Sequence, residues 1–501
     1  MWSLLAQQNG GRPLLPRLQN LIADKILPGE LGSLTPLLAP SLRDIMFSLE
    51  ESEIGSHLAT SMLQTISAAI PQLESFVYTG DHSILPSQLL VLGRLTQLKC
   101  LQLNKHILVN EDLLFSISSI KTLESLTVTL KLRDDATSSL PGGFESLRTI
   151  NITASAKDLL SFVLSVPPHP LDDLYLEFSD KLSVKSTLTT LSSICRHIHK
   201  TFTGGIHLDF RKPFLHPPAE IVMLIEPVLS LDIASFDLLY HSQVPSVSDA
   251  DLLRLASAWP RLTHLNFHHI HRTASPASCP TVSGIFALAA RLPKLDTLFL
   301  AEFDALSIPS RRAVPPGALA HGLSEFRVQT VRIKPDRNGI HTPHTLRLAA
   351  ILDAAFPRLE INFSFLAIRE RQPESASTVF LGDRTWPAVA RFILAMQLGR
   401  ANARLGRSIK GELGQDETSR GSSFVDASDG FMSDWSEASE VRRSCFAIAT
   451  HWTYVLPRTS ISLTHRMQLQ CRTICLYHDY PPLDQGGLMV PALRGCAQAQ
   501  P

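Results

Sequence analysis

Histidines and cysteines at short spacing are the side chains of this sequence that come nearest to a metal site. They form three groups: Cys195, His197 and His199; His268, His269 and His271; and His465, Cys471, Cys475 and His478. A structural zinc site needs two closely spaced pairs of ligands in a fixed order, and none of these groups supplies both pairs. We therefore expect no bound metal and no cofactor.

Signatures of nucleophilic and phosphate chemistry are also missing from the sequence. The strings G-x-S-x-G, G-x-x-x-x-G-K-[ST] and G-x-G-x-x-G do not occur. The acidic pairs, Asp134 with Asp135 and Asp172 with Asp173, are adjacent residues, so their carboxylates point apart on any regular element. Without a candidate nucleophile or acid–base pair, we expect no catalytic residue and no enzyme activity.

Composition excludes several classes of partner. The 501 residues contain 46 Lys plus Arg against 46 Asp plus Glu, and this balance gives no general attraction to nucleic acid. No apolar stretch approaches the roughly 20 residues that a membrane-spanning helix needs, and Met1–Arg12 lacks the pattern of a secretion signal. Seven cysteines are few and odd in number, as in a reducing compartment. We expect a cytoplasmic or nuclear protein that binds neither nucleic acid nor membrane.

The distribution of leucine indicates the elements that must position any binding residues. Of the 79 leucines, 67 lie at or before Leu366. A phrase L-x-x-Φ, usually continued by x-Φ with Φ apolar, recurs in this part at steps of about 25 residues in its early copies. Its first leucines are Leu18, Leu42, Leu73, Leu98, Leu123, Leu147, Leu171, Leu262, Leu295, Leu323 and Leu359, and weaker copies contain Ile206 with Leu208 and Phe236 with Leu238.

Each phrase alternates apolar and variable residues, which predicts a short strand with one buried face. Between phrases the apolar period becomes helical, as in 109–120, 247–260, 281–293 and 344–357, and Ser248 or Asp249 is a candidate helix N-cap. A unit of this size cannot close a core alone, so neighbouring units must stack. We predict an α/β solenoid with parallel strands on its concave face and helices outside. The alternative is an ordinary α/β domain with leucine-rich helices.

The repeated phrase resembles the leucine-rich repeat, although the asparagine of the family consensus is mostly absent. The stretches Arg12–Leu21, Leu34–Leu49 and Ile66–Phe76 look like the start of the repeat region in fungal F-box proteins. In that family the repeats present a substrate, while an F-box binds a Skp-type adaptor of a ubiquitin ligase. No F-box-like segment precedes Arg12. The resemblance therefore implies either a chain that lacks its F-box or a relative that binds partners without ligase recruitment.

Charge separates into blocks after the repeats. Arg400, Arg404 and Arg407 lie at helical spacing in a stretch without acids, and 412–440 holds eight acids against one arginine. We predict a solenoid at 1–370, a C-terminal cap helix region at 371–405, an acidic disordered segment at 406–440 and a basic, cysteine-containing, poorly ordered tail at 441–501. The basic helix has three open interpretations: a polar cap on the last repeat, a clasp with the acidic segment, or a site for an anionic partner.

The variable residues of each strand phrase point to the concave face, opposite to the leucines. In the later repeats these residues are charged, aromatic or histidine, which are types favoured at interfaces. The candidate binding residues are Tyr175, Glu177, His207, Asp209, Arg211, Asp237, His264, Asn266, His268, Phe299 and Arg327. We expect a protein substrate or scaffold partner on this face, with a Skp-type adaptor if an F-box lies upstream. The alternative is a solvated strand face without a partner.

Overall fold

A computed structural model of the chain describes residues 8–10, 12–26, 34–49, 55–80, 84–133, 143–199, 202–215, 220–241, 245–269, 278–333, 343–361 and 385–413. The chain divides into a unit of Met1–Gln415 and a unit of Asp416–Pro501. The second unit lies wholly outside the described residues. The same holds for the predicted tail at 441–501 and for 414–440 of the predicted acidic segment.

Parallel strands form one sheet in the described part of the chain. They are β1 (Asn20–Ile26), β2 (Asp44–Leu49), β3 (Ser75–Tyr78), β4 (Cys100–Leu103), β5 (Leu108–Val109), β6 (Ser125–Leu130), β7 (Thr149–Ala154), β8 (Asp173–Phe178), β9 (Gly205–Phe210), β10 (Ser235–Tyr240), β11 (His264–His269), β12 (Thr297–Asp304) and β13 (Glu325–Arg332). They follow one another across the sheet in chain order, except that the short β5 pairs with β6 outside this path.

The strands begin where the leucine phrases predict them. In β6, β7 and β10 alternate residues are buried and half-exposed, because successive strand residues point to opposite faces. Leu101, Leu126, Ile150 and Leu174 are register partners on β4, β6, β7 and β8, and all four are buried. The predicted fold class is confirmed: the described repeats form an α/β leucine-rich-repeat solenoid with its strands on one side and helices on the other.

The last leucine phrase begins like the others. Its described residues end at Ile361, and the Glu360 N–H donates to the Ser324 carbonyl at 2.6 Å. This is the hydrogen bond with which the other units begin. The remainder of the phrase, including Phe363, lies outside the described residues, and Leu359 is buried like the earlier first leucines.

A repeated backbone contact joins each unit to the next just before its strand. The Arg148 carbonyl, for example, accepts from the N–H groups of Asp172 and Asp173 at 2.8 and 3.2 Å. Gln19, Arg43, Glu74, Lys99, Glu124, Thr263 and Asp296 accept from two consecutive N–H groups in the same way. We call this series the carbonyl relay. It satisfies backbone donors at the turns without the consensus asparagine.

Helices cover the other side of the sheet. They are α1 (Gly55–Ala69), α2 (Pro86–Leu89), α3 (Glu111–Ser118), α4 (Ala156–Ser165), α5 (Val184–Ile198), α6 (Ile221–Ile225), α7 (Asp249–Ala258), α8 (Val282–Arg291), α9 (Pro343–Ala355) and α10 (Thr385–Leu413). Of the two candidates, Ser248 is the N-cap of α7. Asp249 instead accepts from the N–H and hydroxyl of Thr281 at 2.7 and 2.6 Å. Since Thr281 caps α8, Asp249 links two neighbouring helices.

Helix α10 packs against the last repeat. Trp386 is buried and meets Phe326 of β13 edge-to-face, with ring centroids 5.0 Å apart, and Arg400 forms an ion pair with the buried Asp353 of α9. The helix extends to Leu413, beyond the predicted limit at 405, so 406–413 of the segment predicted to be disordered are helical. None of the described helices has both the length and the hydropathy to cross a membrane.

Candidate binding surface

The predicted binding residues lie on the sheet side that faces away from the helices, here called the open face. One lateral row, the central row, is formed by register partners on six strands: Tyr175, His207, Asp237, Asn266, Phe299 and Arg327. A second row beside it contains Glu177, Asp209, Leu239 and His268. Since parallel strands are spaced by about 4.8 Å, neighbours within each row are in contact range.

Tyr175, His207 and Asp237 form the centre of the open face. The Tyr175 and His207 rings are tilted with centroids 5.2 Å apart, and Nδ1 of His207 lies 3.7 Å from Oδ2 of Asp237. The Tyr175 side chain is 36% exposed. Burial raises the pKa of the Tyr175 hydroxyl, and the charges of Asp173 and Asp237 raise it further. The ring therefore stays a neutral phenol between two carboxylates.

Asp237 is held as a carboxylate by its neighbours. Burial on its own would raise the pKa of Asp237, but the neighbouring polar groups of His207 and Asn266 and the nearby histidine charges lower the pKa overall. Asn266 lies beside Asp237 in the central row. The Oδ1 atom of Asn266 is buried without a hydrogen-bond partner among the described residues. An unpaired buried acceptor costs free energy that a partner's donor would recover.

Phe299 does not provide the exposed anchor that its position predicts. The side chain is 6% exposed and stacks on His268, with ring centroids 3.9 Å apart. This burial arises because His268 of the second row lies over the ring. In this part of the open face the half-exposed imidazole, and not the phenyl ring, is available for contact.

Glu177, Arg211, Asp209 and His241 form a charged cluster at the ends of β8 to β10. Arg211 donates to Glu177 at 2.7 Å and lies 3.6 Å from Asp209. Nε2 of His241 is 3.1 Å from Oδ1 of Asp209, but the two atoms are not aligned for a hydrogen bond and have no other partner among the described residues. His241 was absent from the predicted set. It follows β10 as Arg211 follows β9, so extending the strand pattern by one residue would have found it.

His264 and Arg327 also contact residues outside these groups. His264 is exposed and contacts the hydroxyl of neighbouring Thr263 through Nδ1 at 2.7 Å. Arg327 forms an ion pair with Glu325 of its own strand. The structure therefore brings together a central group around Tyr175, a charged cluster around Arg211 and a stacked pair at His268.

The position of His268 predicts a pH dependence of stability. Burial lowers the pKa of His268, and the charges of His207 and Arg327 lower it further, against the attraction of Asp237. An unfolded histidine takes up its proton near pH 6.5, so below that pH the unfolded state binds more protons and stability decreases as the pH falls. We expect His268→Gln to flatten the slope of unfolding free energy between pH 7.5 and 5, measured by urea denaturation. Identical slopes for both proteins would contradict this assignment.

The histidine and cysteine groups considered as metal sites serve other roles where they are described. In α5, Cys195 is buried, and burial raises the pKa of its thiol to about 12, which keeps it protonated. His197 Nε2 contacts the Val166 carbonyl at 2.8 Å, which ties α5 to the preceding helix. His268 and His269 are consecutive residues of β11, and His268 stacks on Phe299. His271 and the tail group lie outside the described residues.

Comparisons with known proteins add little to this geometry. No family model and no curated protein matches the chain. Among solved structures, the plant peptide hormone receptor RGFR1 in complex with RGF2 is similar to 64% of this chain, at 10% sequence identity and a TM-score of 0.20. This chain spans about 64% of the receptor chain's length. At that score the likeness carries no argument about binding, which must come from the open face itself.

Proposed function

We propose that this chain is a protein-binding module without enzyme activity and that its open face holds the partner. The observation that carries the proposal is the central row, in which a tyrosine, a histidine and a carboxylate lie side by side on adjoining strands. Aromatic side chains that keep part of their surface exposed on a rigid support are typical anchors of protein interfaces.

The support of these residues favours binding over a merely solvated face. Alternate residues of the same strands, such as Leu174, Leu176, Leu208 and Leu238, are buried in the core, so the strands hold the outward side chains in place. Pre-positioned side chains lose less conformational entropy on binding than mobile ones. An extended row across several strands suits a protein segment better than a small molecule, since small-molecule sites are concave pockets.

A finer proposal concerns the role of this binding. The resemblance of 12–365 to the repeat region of fungal F-box proteins supports a substrate-recognition part of an F-box-type ubiquitin ligase adaptor. The alternative is a leucine-rich-repeat scaffold unrelated to ubiquitination. The two differ in whether subunits of a ligase core accompany the chain.

Affinity purification of the full chain, followed by quantitative mass spectrometry, tests both proposals. We expect the double variant Tyr175→Ala with Arg211→Ala to lose at least tenfold of its principal partner, because each is an exposed anchor-type residue. Phe299→Ala is left out because loss of a buried ring would confuse binding with folding.

A matched control removes an exposed aromatic residue and an arginine on the helix side. Phe115 of α3 is 65% exposed, and Arg254 of α7 is about half exposed. Phe115→Ala with Arg254→Ala should retain the partner. Equal recovery from both double variants would overturn binding by the open face. Ligase-core subunits that remain with the Tyr175 and Arg211 variant support the adaptor, and a partner list without them favours the scaffold.

A further inference from the structure

The charge of the open face changes sharply along the sheet. The outward residues of β4, β6 and β7 are uncharged: Cys100, Gln102, Ser125, Thr127, Thr129, Thr149, Asn151 and Thr153. On β8 to β10 four carboxylates point outward, from Asp173, Glu177, Asp209 and Asp237. Arg211, just after β9, is the arginine that faces them. The centre of the face is therefore acidic at neutral pH.

Three of the four carboxylates have a basic neighbour. Glu177 binds Arg211, Asp209 lies near Arg211 and His241, and Asp237 lies near His207. Asp173 differs. It is half-buried. Among the described residues, burial and the charge of Asp172 raise the pKa of its carboxyl, the Gly205 backbone lowers it, and no cation contributes. A partly desolvated carboxylate without a neighbouring cation costs free energy in the unbound protein.

Packing around this carboxylate is close on the β9 side. Gly205, the neighbour of Asp173 on β9, has no side chain, and a Cβ there would lie 2.8 Å from Oδ1 of Asp173 and 3.2 Å from Cβ of Ser235. The exposed ring of Tyr175 and the carboxylate of Asp237 lie further along the same strands. The charges of Asp173 and Asp237 both act on Tyr175, and His207 lies between Tyr175 and Asp237 in the central row. A cation over the exposed part of the Tyr175 ring would therefore gain cation–π attraction and the attraction of both carboxylates.

We propose that the protein partner places a lysine or arginine side chain over the exposed part of the Tyr175 ring, beside Asp173 and within the field of Asp237. This inference rests on the proposed function and specifies the chemistry of its partner. The cationic residue binds over β8 to β10, while the segment beside it crosses the uncharged, hydroxyl-rich strands β4 to β7. Charge complementarity selects a basic segment over an acidic one, since an acidic side chain at this position would face two carboxylates.

A displayed library of random peptides, selected on the full chain, tests this assignment. We expect enriched peptides to carry a lysine or arginine at one aligned position. Asp173→Asn should weaken a synthetic copy of the best peptide about tenfold, as should replacing its cation by glutamine. Combining the two changes should cost little more than either alone, because both remove the same contact.

Asp172→Asn is the matched control. It removes the same charge from the adjacent residue, whose carboxylate lies 3.6 Å from Arg148 and precedes β8. It should change binding less than twofold. Equal weakening by Asp172→Asn and Asp173→Asn, or enrichment of neutral or acidic peptides, would overturn the cationic contact while leaving the open face as the binding surface. Peptides that bind Tyr175→Ala as well as the native chain, or no enrichment at all, would overturn the proposed function also.

Discussion

Gly204→Ala is expected to destabilise the protein by about 3 kcal/mol, the upper end of typical overpacking costs. Gly204 precedes β9, where a Cβ would overlap the carbonyl oxygen of Asp172 and lie 2.9 Å from its Cα. The obstacle is backbone, which no side-chain rotation relieves. The Gly205 N–H donates to that same carbonyl at 2.8 Å, so the added methyl group would separate β8 from β9. Urea denaturation followed by circular dichroism measures the loss.

Gly322→Ala is the matched control for this substitution. A Cβ at Gly322 would meet nothing within 4 Å, so the change should leave stability within about 0.5 kcal/mol of the native value. Because both variants change the unfolded chain alike, their difference isolates the clash. If Gly204→Ala unfolds at the same urea concentration as Gly322→Ala, the two repeats are not packed as closely as described.

Arg400→Met is expected to cost about 2 kcal/mol of stability. Arg400 of α10 donates through Nη2 to Oδ1 of Asp353 at 2.8 Å, and the Asp353 side chain is only 6% exposed. The interaction with Asp353 raises the pKa of Arg400. Removing the guanidinium leaves a buried carboxylate without its cation, which is costlier than the loss of one hydrogen bond. Chemical denaturation at neutral pH measures the change.

The double variant Arg400→Met with Asp353→Leu should recover most of that loss, since replacing both partners removes the stranded charge. Arg254→Met provides the exposed comparison. Its ion pair with Glu226 is about half exposed at both ends, so it should cost less than about 1 kcal/mol. A loss in Arg400→Met no larger than in Arg254→Met would show that α10 is not held by this contact.

The sequence predicted the solenoid well because its signal is repeated and local. Each leucine phrase has the period of a strand, and stacking of neighbouring units buries many such phrases together. Features that depend on the segments between the phrases were harder to predict from the sequence. The extent of α10 beyond 405, for example, was not predicted.

For the binding surface, the alternation of residues along each strand predicted which side chains point outward but not how these side chains pack. Phe299 points to the expected face, yet His268 covers it, and a contact between adjacent strands is not visible in either phrase alone. His241 was missed because it lies one residue beyond the strand pattern. Among the described residues no cation contributes to the pKa of Asp173, and this depends on neighbouring repeats that the pattern of a single phrase does not show.

Main-chain groups of the carbonyl relay align the repeats, so outward side chains are not needed for that purpose. Register between units is set by main-chain groups, from Gln19 through Arg148 to Asp296, and every residue type other than proline can supply them. Outward side chains such as Asn151 and Tyr175 can then be replaced without disturbing the hydrogen bonds that join the repeats. A chain built in this way tolerates single substitutions on its outward face. Its sheet could therefore support engineered binding surfaces.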